Sequence, residues 1–123
     1  NYTVTTTGTC SQVTTNGTIT INQQESAGID NLITELCNTA GSTIDLNTLL
    51  SGNTTIGVWA ETTASGQFNS GTGVFNGTGL IAGLYTFTYT VSSNAPCASD
   101  VANFTVTINE VPVVSNLTET SKG

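Results

Sequence analysis

The stretch Leu84–Asn109, LYTFTYTVSSNAPCASDVANFTVTIN, decides the reading of this chain. Tyr85, Phe87, Tyr89 and Val91 alternate with threonines, and Phe104, Val106 and Ile108 alternate with threonines again after a loop that carries Cys97. Period-two alternation of β-branched and aromatic residues with small polar ones is the pattern of a half-buried strand. The stretch therefore predicts two antiparallel strands sharing one buried face. All but its first five residues also occur earlier in the chain. Tyr2–Asn22, YTVTTTGTCSQVTTNGTITIN, aligns without a gap on Tyr89–Asn109 at an offset of 87 residues. The match takes in Cys10 with Cys97, Asn16 with Asn103, and the closing Thr-x-Thr-Ile-Asn in both copies.

An offset of 87 residues suits one small β-sandwich. The 123-residue chain then divides into three parts. Residues 1–24 read as the closing β-hairpin of a preceding repeat, 25–111 as one complete immunoglobulin-like antiparallel β-sandwich, and 112–123 as a linker or the first strand of a further repeat. A lone two-stranded hairpin is marginal. Residues 1–22 therefore need a partner surface, either a neighbouring unit or another molecule joined by strand addition.

Within the full unit, Ile29, Leu32, Ile33 and Leu36 fit a short helix capped by Asp30 and equally a first strand running to Cys37; the β character of the rest favours the strand. Thr43–Leu46 reads as a strand leading into a helical turn capped by Asp45 or Asn47. Ile56–Glu61 reads as a strand with Trp59 inward and Val58 and Ala60 outward. Phe68 and Phe75 flank a glycine-rich turn. The expected core is Ile44, Leu46, Leu49, Trp59, Phe68, Phe75, Tyr85, Phe87, Tyr89, Phe104, Val106 and Ile108. A core of this size is thin, and a covalent staple would help it.

Three cysteines are present, with no CxxC pair and no histidine to complete a zinc site. Since Cys10 and Cys97 are equivalent, the repeat assigns a disulfide to Cys37 and Cys97. Cys10 is left unpaired or bridging between molecules. Closing that loop would stabilise the unit by about 4 kcal/mol on a chain-entropy account, and it implies an oxidising compartment. Three free thiols are the alternative.

Charged residues make up 7 % of the chain, eight acids against the single base Lys122, for a net charge of −7. Phosphate recognition depends on Lys and Arg, so neither nucleic acid nor an anionic membrane is an expected partner. No apolar run is long enough to span a bilayer as a helix. Nucleophilic catalysis lacks a base. Asp45, Glu61 and Asp100 are the only in-unit carboxylates suited to a glycosidase-like pair, and they sit at strand ends and turns where capping explains them. No DxDxD run suggests calcium, although Asp30 or Asp100 could serve a junction site with backbone carbonyls. No cofactor is expected. Sequons occur at Asn1, Asn16, Asn53, Asn76, Asn103 and Asn116, of which the last five are the candidate glycosylation sites.

Taken in order, Cys37, Thr43-Ile44-Asp45-Leu46 with Leu49-Leu50, Gly57-Val58-Trp59, Gly66-Gln67-Phe68-Asn69, Gly73-Val74-Phe75, Ala82–Val91, Pro96-Cys97 and Asp100 resemble the immunoglobulin-like or PKD-like repeats of large Bacteroidetes cell-surface proteins. These include adhesins linked to gliding motility and exported by the type IX secretion system. The resemblance covers residues 27–111, and the hairpin at 1–22 matches the closing strands of the same repeats. It implies an extracellular, tandem spacer or adhesion module that meets like units end to end, with no catalytic residues to carry over. A carbohydrate-binding module is the expectation from a different class; it requires Trp59 and the tyrosines exposed in a row.

Overall fold

The computed structural model describes residues 2–4, 8 and 13–112. Nine strands are present among them: β1 (Tyr2–Val4), β2 (Val13–Thr15), β3 (Leu32–Cys37), β4 (Thr43–Asp45), β5 (Val58–Glu61), β6 (Phe68–Asn69), β7 (Val74–Asn76), β8 (Gly83–Val91) and β9 (Asp100–Asn109). The body is a two-layer β-sandwich. One sheet has four strands in the order β3-β9-β8-β5, and the other has three in the order β4-β7-β6.

The alternating stretch behaves as its period requires. β8 pairs antiparallel with β9, with Phe87 opposite Phe104 and Tyr85 opposite Val106. Phe87, Tyr89, Val91, Phe104, Val106 and Ile108 are all buried. The intervening threonines form the outer face, where Thr86 lies opposite Thr105.

The ambiguous segment before Cys37 is a strand and not a helix. β3 alternates half-buried and exposed residues, and Ile33, one of the four residues at helical spacing, is 69 % exposed on the outer face. β3 pairs parallel with β9, Leu32 with Phe104 through Cys37 with Asn109. Asp30, an expected helix cap, instead accepts the Asn103 backbone N–H, which lies on β9 just before the β3 register begins.

From β3 the chain crosses to the other sheet. Asp45 accepts the Asn47 N–H at 2.9 Å and starts a single 3-10 turn, Leu46–Leu49. That turn places Leu46 fully in the core, with Leu49 and Leu50 packed at its margin. β5 begins at Val58, two residues later than expected, and Ile56 is exposed. Trp59 points inward and Val58 outward, in keeping with the period.

The twelve expected core residues all lie in the buried cluster or against it, and Ala27, Val91 and Ala102 complete the cluster. Its centre is aromatic. The Trp59 ring sits 4.8 Å from Tyr89 and 5.0 Å from Phe104, and Phe75 and Phe68 each sit 4.9 Å from Phe87. Tilted and edge-on pairs at these separations add to the stabilisation from burial alone.

The expected disulfide is not formed. Cys37 and Cys97 are both free thiols, the first exposed and the second half-buried. The register gives the reason. Cys37 pairs with the last residue of β9, whereas Cys97 precedes its first residue, and the ten residues of β9 rise about 30 Å. A disulfide needs Cα atoms within about 7 Å. Cys10 lies outside the described residues.

The backbone of the N-terminal hairpin repeats that of the final one. Tyr2 lies opposite Thr15, Thr3 opposite Thr14 and Val4 opposite Val13. At the 87-residue offset these are the β8–β9 pairs Tyr89 with Ala102, Thr90 with Val101 and Val91 with Asp100. The continuation past β2 differs: Ile19 and Ile21 are each 90 % exposed, while their counterparts Val106 and Ile108 are buried.

Candidate functional site

Each end of the sandwich carries a polar cluster, and each cluster holds one of the two described cysteines. The entry cluster forms where residues 22–31 run past the β8–β9 loop. Asn22 donates its side-chain N–H to the Ala95 carbonyl at 2.6 Å, and the Asn22 carbonyl accepts from the Cys97 thiol at 3.3 Å. The loop is held in a turn by the Cys97 N–H bonding Asn94 O, across a cis Ala95–Pro96 peptide. Further along, Glu25 N–H reaches Ser93 Oγ and Ala27 N–H reaches Asp100 Oδ2 at 2.8 Å. Ile29 and Thr54 tie the same segment to residues 51–54 by backbone bonds between Ile29 and Ser51 and between Thr54 and Ser26. Asp30 Oδ1 then accepts from the Asn103 backbone at 2.7 Å, from the Asn103 side chain at 3.1 Å and from Asn31 N–H at 2.8 Å. The Asn103 backbone donor, followed by its side-chain amide, holds the Asp30 carboxyl below its ordinary value.

The exit cluster surrounds Asn38, the residue after β3. Its N–H bonds the Asn109 carbonyl at 3.1 Å and its carbonyl accepts from Gly79 N–H. Its side chain donates to Leu80 O and accepts from Val111 N–H. Every polar group of Asn38 is thereby used to fix the end of β9 against the corner before β8. Cys37 stands beside it on the outer face of the sheet, aligned with Asn109.

The carboxylates considered for chemistry are dispersed as caps. Asp45 holds the 3-10 turn, Glu61 accepts from Thr63 Oγ1 and Ser65 N–H, and Asp100 accepts from Ala27 and Val101. Among the described residues, no group of three or more His, Cys, Asp or Glu side chains is arranged to hold a metal ion. Trp59 and Tyr89 are buried, and their polar atoms are engaged internally: Trp59 Nε1 donates to Asn47 Oδ1 at 2.9 Å, and Tyr89 OH accepts from Gly57 N–H at 2.6 Å. They form no exposed aromatic platform. A wide-open concavity of about 510 Å³ lies over the three-stranded sheet and is lined by Thr43, Gln67, Asn69, Thr72 and Asn76 with part of Phe68.

The sequon asparagines are scattered. Asn16 is exposed at the end of β2, Asn103 is exposed on β9 against Asp30, and Asn53 and Asn76 are half-buried. Asn116 lies outside the described residues. Sequence reasoning missed Asn22 and Asn38, which organise the two ends, and it offered Asn47 only as a cap of the turn, where it instead accepts from Trp59. A signal did exist for Asn22, since it closes the repeated Thr-Ile-Asn and has Asn109 as its counterpart.

Compared with protein-family models, with curated proteins and with solved structures, the chain matches none.

Proposed function

We propose that this chain is a portion of a tandem array of immunoglobulin-like sandwich units in an extracellular adhesin or filament, and that the unit acts as a stiff adhesive spacer. The observation that carries the reading is the register: the β1–β2 pairs are the β8–β9 pairs displaced by the 87-residue offset. A hairpin that repeats the closing hairpin in sequence and in pairing, with Ile19 and Ile21 exposed where the full unit buries Val106 and Ile108, belongs to a second copy of the same unit.

The immunoglobulin-like assignment draws on three details. The strand order β4-β7-β6 against β3-β9-β8-β5 follows the B-E-D and A′-G-F-C arrangement of that topology, the first strand lying parallel to the last. Trp59 is buried on the strand equivalent to C. Tyr85, near the start of β8, bonds back through its hydroxyl to Ile81 O at 2.9 Å, as the tyrosine corner of such sandwiches does. Among the described residues the inter-sheet disulfide of antibody domains has no counterpart. Polarity carried by Thr, Asn and Ser in place of charge suits an exposed extracellular surface.

The test is mechanical. Three units joined at the native offset and pulled from both ends should unfold in equal steps, each releasing about 30 nm, the extended length of one 87-residue repeat. One irregular step for the whole array would defeat the reading. The exposure of Ile19 and Ile21 also favours a second reading, in which the hairpin adds its strands to the sheet of another molecule. Sedimentation of the chain across a concentration series separates the two: oligomers that lengthen with concentration support strand addition, and a persistent monomer supports the tandem spacer.

A further inference from the structure

The two free thiols occupy opposite ends of the unit, and each end is built on the same repeated asparagine. At the exit, the Asn109 carbonyl accepts from the Asn38 N–H at 3.1 Å, which is the peptide joining Cys37 to Asn38. At the entry, the carbonyl of Asn22, the counterpart of Asn109, accepts from the Cys97 thiol at 3.3 Å. In an array, the exit asparagine of one unit is the entry asparagine of the next. One carbonyl oxygen, with two lone pairs, would then receive the Cys37–Asn38 peptide from one side of the junction and the Cys97 thiol from the other. The incoming sulfur is then two hydrogen bonds away from the Cys37–Asn38 peptide, which brings the two cysteines to the same junction.

We propose that Cys37 of each unit forms a disulfide with the Cys97 counterpart of the following unit, so that the staple crosses the junction and does not close the sandwich. The inference rests on the tandem reading above. It explains why the unit carries one cysteine at each end and why neither has a partner within it. Cys37 is exposed and Cys97 half-buried, which leaves the thiols open to an oxidant. The two thiols lose two protons and two electrons, the S–S bond forms, and a disulfide oxidant of the thiol-exchange class, such as oxidised glutathione, leaves as two thiols. Because Asn22 also donates to Ala95 O and Asn38 also holds Val111, the junction has no free linker, and the bridge would lock the angle between units.

The test uses the full chain with a second unit appended at the native offset: residues 1–109 followed by residues 23–123 again. After refolding with oxidised glutathione, unreduced peptides are identified by mass spectrometry. The expected product joins Cys37 of the first unit to the appended copy of Cys97, while the first Cys97 and the appended Cys37 react with iodoacetamide. Cys37→Ser in the first unit should free the appended Cys97 for alkylation. The staple is overturned by a bridge within one unit, or by full alkylation of both junction thiols. Protease protection of the reduced protein tells the two failures apart. If both units resist protease but the junction thiols alkylate, only the staple fails. If the appended unit is digested, the tandem reading fails with it.

Discussion

Asn47 illustrates how much of this core rests on single polar contacts. Its side chain accepts the Trp59 indole N–H at 2.9 Å and donates to Asp45 and to Thr72 O. Leaving a buried indole N–H unpaired costs about 1–3 kcal/mol, so Asn47→Ala should lower the unfolding free energy measured in urea by that amount and shift Trp59 fluorescence. In a Trp59→Phe background the same substitution should cost less, because the orphaned donor is gone; additive effects would show that the contact does not matter. Asp30 makes a pH-dependent contribution of known sign. Its carboxyl lies below the ordinary value of 3.8, first through the Asn103 backbone N–H. A carboxyl lowered in the folded state contributes stability in full above its unfolded value, and that stability is lost as pH falls through the folded one. The urea midpoint of the native chain should therefore fall between pH 5 and about pH 2 by more than that of Asp30→Asn. Equal falls would remove Asp30 from the account. The exposure of this carboxylate keeps its contribution small beside that of the core.

At the scale of elements, the entry segment is pinned where Gly28 crosses the 51–54 loop. Gly28 has φ +92, and an added Cβ would meet the Ser51 carbonyl and Asn53 N. Gly66 has a similar φ of +78 but faces open space. Both alanine substitutions carry the left-handed strain of about 1 kcal/mol, and Gly28→Ala adds a backbone clash. Thermal unfolding should therefore rank Gly28→Ala clearly below Gly66→Ala; equal melting temperatures would mean that the segment can shift to make room. Strands whose neighbours are close in sequence were legible from period alone, and β8 and β9 fall with their buried and exposed faces as read. β3 was ambiguous because Ile29, Leu32, Ile33 and Leu36 satisfy both periods, and its parallel pairing with β9 joins segments about 70 residues apart, which no local pattern encodes. The Cys37–Cys97 assignment failed for a related reason. A repeat offset identifies residues with the same role, and it carries no information about which end of the unit each occupies. Only the register, with Cys37 beside Asn109, supplies that.

At the scale of the whole molecule, stability comes from an aromatic centre, two sheets and neutral hydrogen bonds, with little charge to exploit. Eight acids face one base, Lys122, and Asp30, Asp45, Glu61 and Asp100 cap backbone N–H groups. Salt acts on such a molecule with a definite sign. About 1 M NaCl shortens the screening length to about 3 Å. This weakens the mutual repulsion of the acids and removes almost no attraction, so the urea midpoint should hold or rise slightly. A protein held by ion pairs would show the opposite. The same measurement in CaCl2 at matched ionic strength addresses the junction aspartates. Asp30 spends Oδ1 on Asn103 and Asn31, and Asp100 spends both oxygens on Ala27 and Val101, so calcium should add nothing beyond screening. A calcium-specific rise in midpoint would require those carboxylates to leave their caps, and it would move the rigidity of the proposed array from covalent and hydrogen-bonded junctions to metal-bound ones.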